Sequence, residues 1–200
     1  MKQYGANVEI AKRGNYLDLP PVGAYVAEIK NVRVVEPDGE RRFYPALEMM
    51  VDIVEGEYAN RYTEVYNDQK ERFDNAKYKG IFSLRIPTKD DKPEEDWVSR
   101  KFGNNIWCVQ ESNPGYTWDL DEKKLKGKKV GINIRRKLYT YDNQDKETTE
   151  IGQFETVEDV KAGKCKRMKD NDRRKSSNNS AASTDGSSFT EVSGTVDVPW

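Results

Sequence analysis

Apolar and polar positions alternate along much of this chain with the period of two that a half-buried strand requires. Leu47, Met49, Val51 and Ile53 are interleaved with Glu48, Met50 and Asp52, and Glu55-Gly56-Glu57 ends the run. Before it, the turn Leu19-Pro20-Pro21-Val22-Gly23 and the turn Pro37-Asp38-Gly39 bracket residues 24–35, whose β-branched content predicts a first strand. Residues 61–66 predict a third, short strand, and residues 81–86 a fourth, stopped by Pro87. The clearest alternation comes after Asn113-Pro114-Gly115. There Val130, Ile132 and Ile134 point one way, and Gly131, Asn133, Arg135, Lys137, Tyr139 and Tyr141 the other. A last strand is expected near residues 149–154. Helix signals are fewer. Asp91, Pro93 and the acids at 94–96 precede Trp97 and predict a helix from 93 to about 110, with Gly103-Asn104-Asn105 as a place where it would split. Thr156 and Asp159 open a short helix in capping-box style, and Gly163 ends it.

Five or six strands with one inserted helix predict a mainly β fold. The expected architecture is an OB-like barrel of five to six strands, with a sandwich as the alternative. Domain organisation follows composition: residues 1–169 form the OB-like domain, and residues 170–200 a disordered Ser-rich linker ending in an acidic and aromatic tip. Residues 176–188 hold almost nothing to bury, so ordering them has no offsetting gain.

Composition narrows the chemistry. Charged residues make up 34% and hydrophobic ones 35% of the 200, and no stretch approaches the ~20 apolar residues of a spanning helix. With no apolar leader after Met1-Lys2-Gln3, a cytoplasmic protein is expected, in the host cytoplasm if phage-encoded. Histidine is absent, which removes serine–histidine and cysteine–histidine hydrolases and imidazole-ligated zinc. Cys108 and Cys165 are far apart in sequence and form no metal motif, so no disulfide framework, metal or cofactor is expected.

The net charge of −1 hides a partition: every lysine and arginine lies at or before Lys175, and the last 25 residues carry only Asp185, Glu191 and Asp197. Between Lys123 and Tyr141 there are eight bases and no acid. On a strand, Arg135, Lys137, Tyr139 and Tyr141 share a face, mixing cations with flat rings. Single-stranded nucleic acid asks for that mixture: cations neutralise phosphates, and each ring stacks a base for about 1–3 kcal/mol. Lys128 and Lys129 are further phosphate contacts. Tyr62 and Tyr66, on one face of their expected strand with Arg61 beside them, would extend the platform, as would Trp118. A second basic cluster, from Lys161 to Lys175, adds to the local positive charge or simply solvates the linker.

The tail carries its own signal. Asp197, Val198, Pro199 and Trp200 combine an acid, an apolar pair and an aromatic ring suited to a partner's apolar pocket with a basic rim. This tip resembles that of bacterial single-stranded-DNA-binding proteins, although it has Trp in place of Phe and sparser acids. The core resembles single-stranded-DNA-binding proteins of phage and prophage replication–recombination modules. That likeness rests on Leu19-Pro20-Pro21-Val22-Gly23-Ala24-Tyr25, Val54-Glu55-Gly56-Glu57-Tyr58, Asn113-Pro114-Gly115-Tyr116 with Leu125-Lys126-Gly127-Lys128, and residues 157–164. The resemblance implies a non-enzymatic protein that protects single-stranded DNA and recruits replication and recombination proteins through its tail. Sequence sets no oligomeric state; dimerising would double the groove of so small a barrel.

Two other readings stand beside it. One is a protein adaptor of a phage replication module that does not bind DNA. The other is a metal-dependent nuclease built on Glu28-Ile29-Lys30, which needs a further carboxylate on a neighbouring strand.

Overall fold

An alternating strand is stable only when its apolar row faces another apolar row, and pairing provides this for most of the chain. The computed structural model describes residues 17–40, 42–89, 91, 92 and 95–174. Their strands are β1 (Gly23–Val35), β2 (Ala46–Ile53), β3 (Ile81–Arg85), β4 (Lys129–Tyr141), β5 (Gln144–Glu155) and β6 (Asn171–Arg173). The helices are α1 (Arg61–Arg72), α2 (Asp96–Glu111) and α3 (Val157–Lys161), with a 3₁₀ turn at Glu122–Leu125. The fold is mainly β. One mixed sheet runs in the order β3-β2-β1-β4-β5, antiparallel throughout, and β6 pairs parallel with the far half of β4.

The sheet is open. Among the described residues no hydrogen-bonded ladder joins β3 to β5, but the sheet curls until Phe82 and Phe154 meet, ring centroids 4.5 Å apart. Ile29, Leu47, Met49, Ile53, Leu84, Ile132 and Ile134 fill the concave side. Helix α2 closes over the gap between the edges. It runs unbroken through Gly103-Asn104-Asn105 because Asn105 is used: its Nδ2 donates to the Lys101 carbonyl (2.7 Å), and its Oδ1 accepts from the Phe154 N–H (2.8 Å). A side-chain amide thus stands in for the missing strand partner of a buried edge. None of the described helices is long and apolar enough to cross a membrane.

Residues 61–66 are not a strand; they open α1. Tyr62, Val65 and Tyr66 recur at helical spacing, and Tyr62 and Val65 face the core. The cause lies on β2. The fully buried Asp52 carboxylate accepts from the Tyr62 N–H (3.1 Å), the Thr63 N–H (3.0 Å) and the Thr63 hydroxyl (2.5 Å). It satisfies the bare donors of the helix N-terminus and their partial positive charge from another element.

β5 is also longer than its apolar residues announce. Asp142 and Asn143 both have positive φ (51° and 55°), as a two-residue I′ turn requires, so β4 and β5 stay paired through Tyr141 and Gln144. Residues 170–174, expected as the start of the linker, are held: Asp170 pairs with Arg136 and Asn171–Arg173 pair with β4. The tip Asp197, Val198, Pro199 and Trp200 lies outside the described residues.

Glu48 shows how the outer face of β2 is covered. Burial alone would raise its carboxyl, but hydrogen bonds and charge from Arg33 (2.7 Å) and Arg42 (2.7 Å) prevail and hold it below the usual carboxylate range. The stability this contributes is complete above the unfolded value of about 4.3 and is lost as pH falls through the lower folded value. Chemical denaturation of Glu48→Gln against the natural chain will show a stability gap at neutral pH that narrows in that acid window; a gap that stays constant would contradict the pairing.

Candidate nucleic-acid interface

Beyond the residues that pair with β1, β4 continues from Arg135 to Tyr141 between β5 and β6 as a three-stranded ribbon. Cross-strand partners share a face, so the register reads out the two surfaces directly. On one face Lys137 stands between Asn171 and Thr148, Tyr139 between Arg173 and Lys146, and Tyr141 opposite Gln144. Tyr139 is half-buried and Tyr141 is 59% exposed, with the Lys146 ammonium 4.8 Å from its ring centroid. On the other face Arg136 is joined by Asp145, Glu147 and Asp172. Arg136 holds Asp170 (2.5 Å) and Glu147 (3.5 Å), and Arg174 holds Asp172 (2.5 Å). Beyond the Arg135–Glu150 pair the ribbon therefore separates charge: cations and rings on one side, carboxylates with their arginines on the other.

Further cations gather near the first face. The Lys79 residue as a whole is exposed, yet partial desolvation of its ammonium, then the like charges of Lys77 and Lys137, push it below the usual lysine value. Lys101 on α2 is lowered the same way, by desolvation and then by Arg135. Lys79 thus lies within electrostatic reach of Lys137, and Lys101 within reach of both Arg135 and the Glu150 carboxylate.

The expected residues divide into three groups. Lys137, Tyr139 and Tyr141 share the ribbon face. Arg135 is on it too, but it is engaged by Glu150 (2.7 Å), whose carboxylate also accepts from Asn171 (2.8 Å). Lys128 and Lys129 belong elsewhere. Lys129 and Tyr141 are the two ends of β4, ~40 Å apart at ~3.3 Å per residue. At that end Lys128 lies over the Tyr116 ring (4.6 Å), and Lys129 exchanges backbone hydrogen bonds with the Asn113 side chain. Trp118 is half-buried there, its backbone N–H donating to the Gln110 side-chain carbonyl (2.8 Å).

Tyr62 and Tyr66 are corrected outright as an exposed strand pair. Tyr62 is 2% exposed, and burial, then Tyr78 and Asp52, hold its hydroxyl far above the usual tyrosine value. Tyr66 is half-buried with its ring edge-on to Tyr78 (5.9 Å). A ring committed to the core cannot stack on a base. Arg61 opens α1, near Glu64 (3.4 Å) and the Tyr58 ring (5.4 Å). In their place the ribbon contributes Lys146, which sequence reading missed, and Arg173, which it counted in the second basic cluster without placing it on this face. The Asp142-Asn143 turn was the available signal for Lys146; nothing local signalled that Arg173 meets Tyr139.

Two other surfaces bear on chemistry. The β1–β2 loop exposes Phe43 (65%) and Tyr44, the latter under the Arg85 guanidinium. Glu28 pairs with Lys30 (3.0 Å) and stands opposite Asp52, the neighbouring-strand carboxylate a nuclease would need, but Asp52 is already occupied by the α1 donors. Among the described residues no three potential ligands are grouped to hold a metal ion, and both cysteines are free thiols.

The two tyrosine environments predict opposite phenotypes. Tyr62→Ala will lower stability by about 3–5 kcal/mol, the cost of emptying an aromatic core site, whereas Tyr141→Ala will stay within about 0.5 kcal/mol. Urea unfolding of both variants checks the pair. No family model matches this chain, and no curated protein matches it either.

Proposed function

We propose that this protein binds single-stranded DNA on the basic, aromatic face of the β4–β5–β6 ribbon, without catalysis, as a single-stranded-DNA-binding protein of a phage replication–recombination module. The observation that carries the reading is the row Arg173, Tyr139, Lys146, with Tyr141 exposed next to it. A ring flanked by cations stacks a base while both neighbours meet the adjoining phosphates. The opposite face, rich in carboxylates, repels the same polymer and so fixes which side it takes.

An OB-like reading of the fold is supported by the strand order, by α2 lying between β3 and β4, and by the approach of β3 to β5; such barrels are five-stranded and partly open, and use their β1–β2 and β4–β5 loops on oligonucleotides. The exposed Phe43 and Tyr44 lie in the first of those loops and the ribbon leads to the second. Asp197, Val198, Pro199 and Trp200 are the proposed docking segment for replication or recombination proteins. A second reading, a protein adaptor, draws on Trp97 and Trp107, each about half exposed on α2 (50% and 51%).

Titration of a labelled dT oligonucleotide separates the two. The double variant Tyr139→Ala, Tyr141→Ala will bind at least tenfold more weakly, since each stack is worth about 1–3 kcal/mol, with an unchanged melting curve. Equal affinity removes the ribbon as the site, and no binding by the natural chain leaves the adaptor. Deleting residues 196–200 will keep or improve DNA affinity and abolish capture of the tail's partner in a pull-down from the host; capture that survives deletion removes the tail's role.

A further inference from the structure

Between α3 and β6 the chain crosses the outer face of β4 and β5 as a strap, residues 164–169. It is fixed along its length. The Lys164 N–H donates to the Asp159 carbonyl (2.9 Å), and the Lys166 carbonyl accepts from Asn133 Nδ2 (3.0 Å). Met168 lies on Gly152, so close that a Cβ there would come within 2.5 Å of the sulfur and the methionine tip would have to shift. Asp170 then meets Arg136, and β6 begins.

This anchoring turns Cys165 and Met168 partly inward and leaves Lys164, Lys166, Arg167 and Lys169 exposed. Among the described residues none of these four forms an ion pair. Arg167 differs in this from most other described arginines, which hold carboxylates, as Arg33 and Arg42 hold Glu48 and Arg85 holds Asp91 and Glu95. Two carboxylates near Cys165 of the strap are engaged by neutral donors and keep their charge: Glu155 accepts from Asn133 (2.9 Å) and Gln153 (2.6 Å), and Asp159 from Thr156 (2.8 Å). An open, shallow groove of about 350 Å³ lies between Lys166, Arg167 and residues 21–24. Strap and ribbon are continuous. β6 runs parallel to β4 with Asn171 opposite Lys137, so Lys169 precedes the ribbon by two residues, ~7 Å of extended chain.

We infer that the strap is a second segment of the binding site, a preorganised cation track that carries the phosphate backbone of the strand whose bases stack on Tyr139 and Tyr141. The inference rests on the proposed function and adds a path: polymer leaving the rings runs over Lys169, Arg167, Lys166 and Lys164. A track without rings contributes charge neutralisation, so its mark is salt dependence and not base preference. A backbone already fixed by the fold loses little freedom on binding, unlike that of a flexible linker.

The test is the slope of log affinity against log salt for a dT oligonucleotide, measured on the full chain. Each neutralised phosphate contributes about 0.7 to the slope for single strands, so Lys164→Gln, Lys166→Gln, Arg167→Gln and Lys169→Gln together will reduce it by about 3, and each alone by about 0.7. Tyr139→Ala with Tyr141→Ala will weaken binding at every salt concentration and leave the slope in place. Thermal melts establish that all variants are folded. A natural chain that binds, with a slope the four substitutions do not change, overturns the strap and spares the ribbon; a natural chain that does not bind overturns both. Phosphatidylserine vesicles serve as the second arm: vesicle binding lost in the fourfold variant, with the oligonucleotide slope unchanged, would assign the track to a membrane surface instead and overturn the inference.

Discussion

Contact between Phe82 and Phe154 across an unpaired gap governs the architecture. A five-strand path with apolar rows on one side must either find a second layer or curl on itself, and the curl brings these rings together without a ladder between β3 and β5. Curling leaves an edge whose backbone groups need partners inside the protein. Asn105 of α2 answers that need at Phe154, so helix and sheet edge are one construction. Because the core closes at the level of Ile132 and Ile134, the rest of β4 has no core to join and projects as a ribbon.

Electrostatics then takes its form from the pleat. A near-neutral chain has little long-range attraction for a polyanion, so local arrangement has to supply it. Alternate residues of β4, β5 and β6 separate Lys137, Lys146 and Arg173 from Asp145, Glu147 and Asp172 across a single layer of backbone. The carboxylates are not wasted. They bind Arg136 and Arg174 and so hold β6 and its approach against β4, which keeps the basic face in register.

Buried carboxylates do similar structural work on the outer face of β2. Asp52 fixes the start of α1 and Glu48 ties Arg33 of β1 to Arg42 of the β1–β2 loop. Each looks from sequence like the solvent-facing half of an alternating strand. Both are buried because another element arrives to meet them, α1 in one case and two guanidinium groups in the other.

Most of what could be read locally was read correctly, the Asp142-Asn143 turn being the exception. Period-two alternation in β2 and β4, the turn residues bounding β1, the acids opening α2 and the cap at Thr156 all act within a few residues, and local sterics and hydrogen bonding are sufficient to decide them. The shared face of Lys137, Tyr139 and Tyr141 follows from the same two-residue period. Contacts between distant segments decided the rest. Residues 61–66 become helix because Asp52 comes from another strand; Tyr62 is lost to the core for the same reason. Lys129 parts from Tyr141, and Lys128 with it, because β4 is one uninterrupted strand of 13 residues, and Arg173 reaches Tyr139 only because the strap carries it there. Side-chain period is a property of the chain, whereas the partner that buries or neutralises a side chain is chosen by folding.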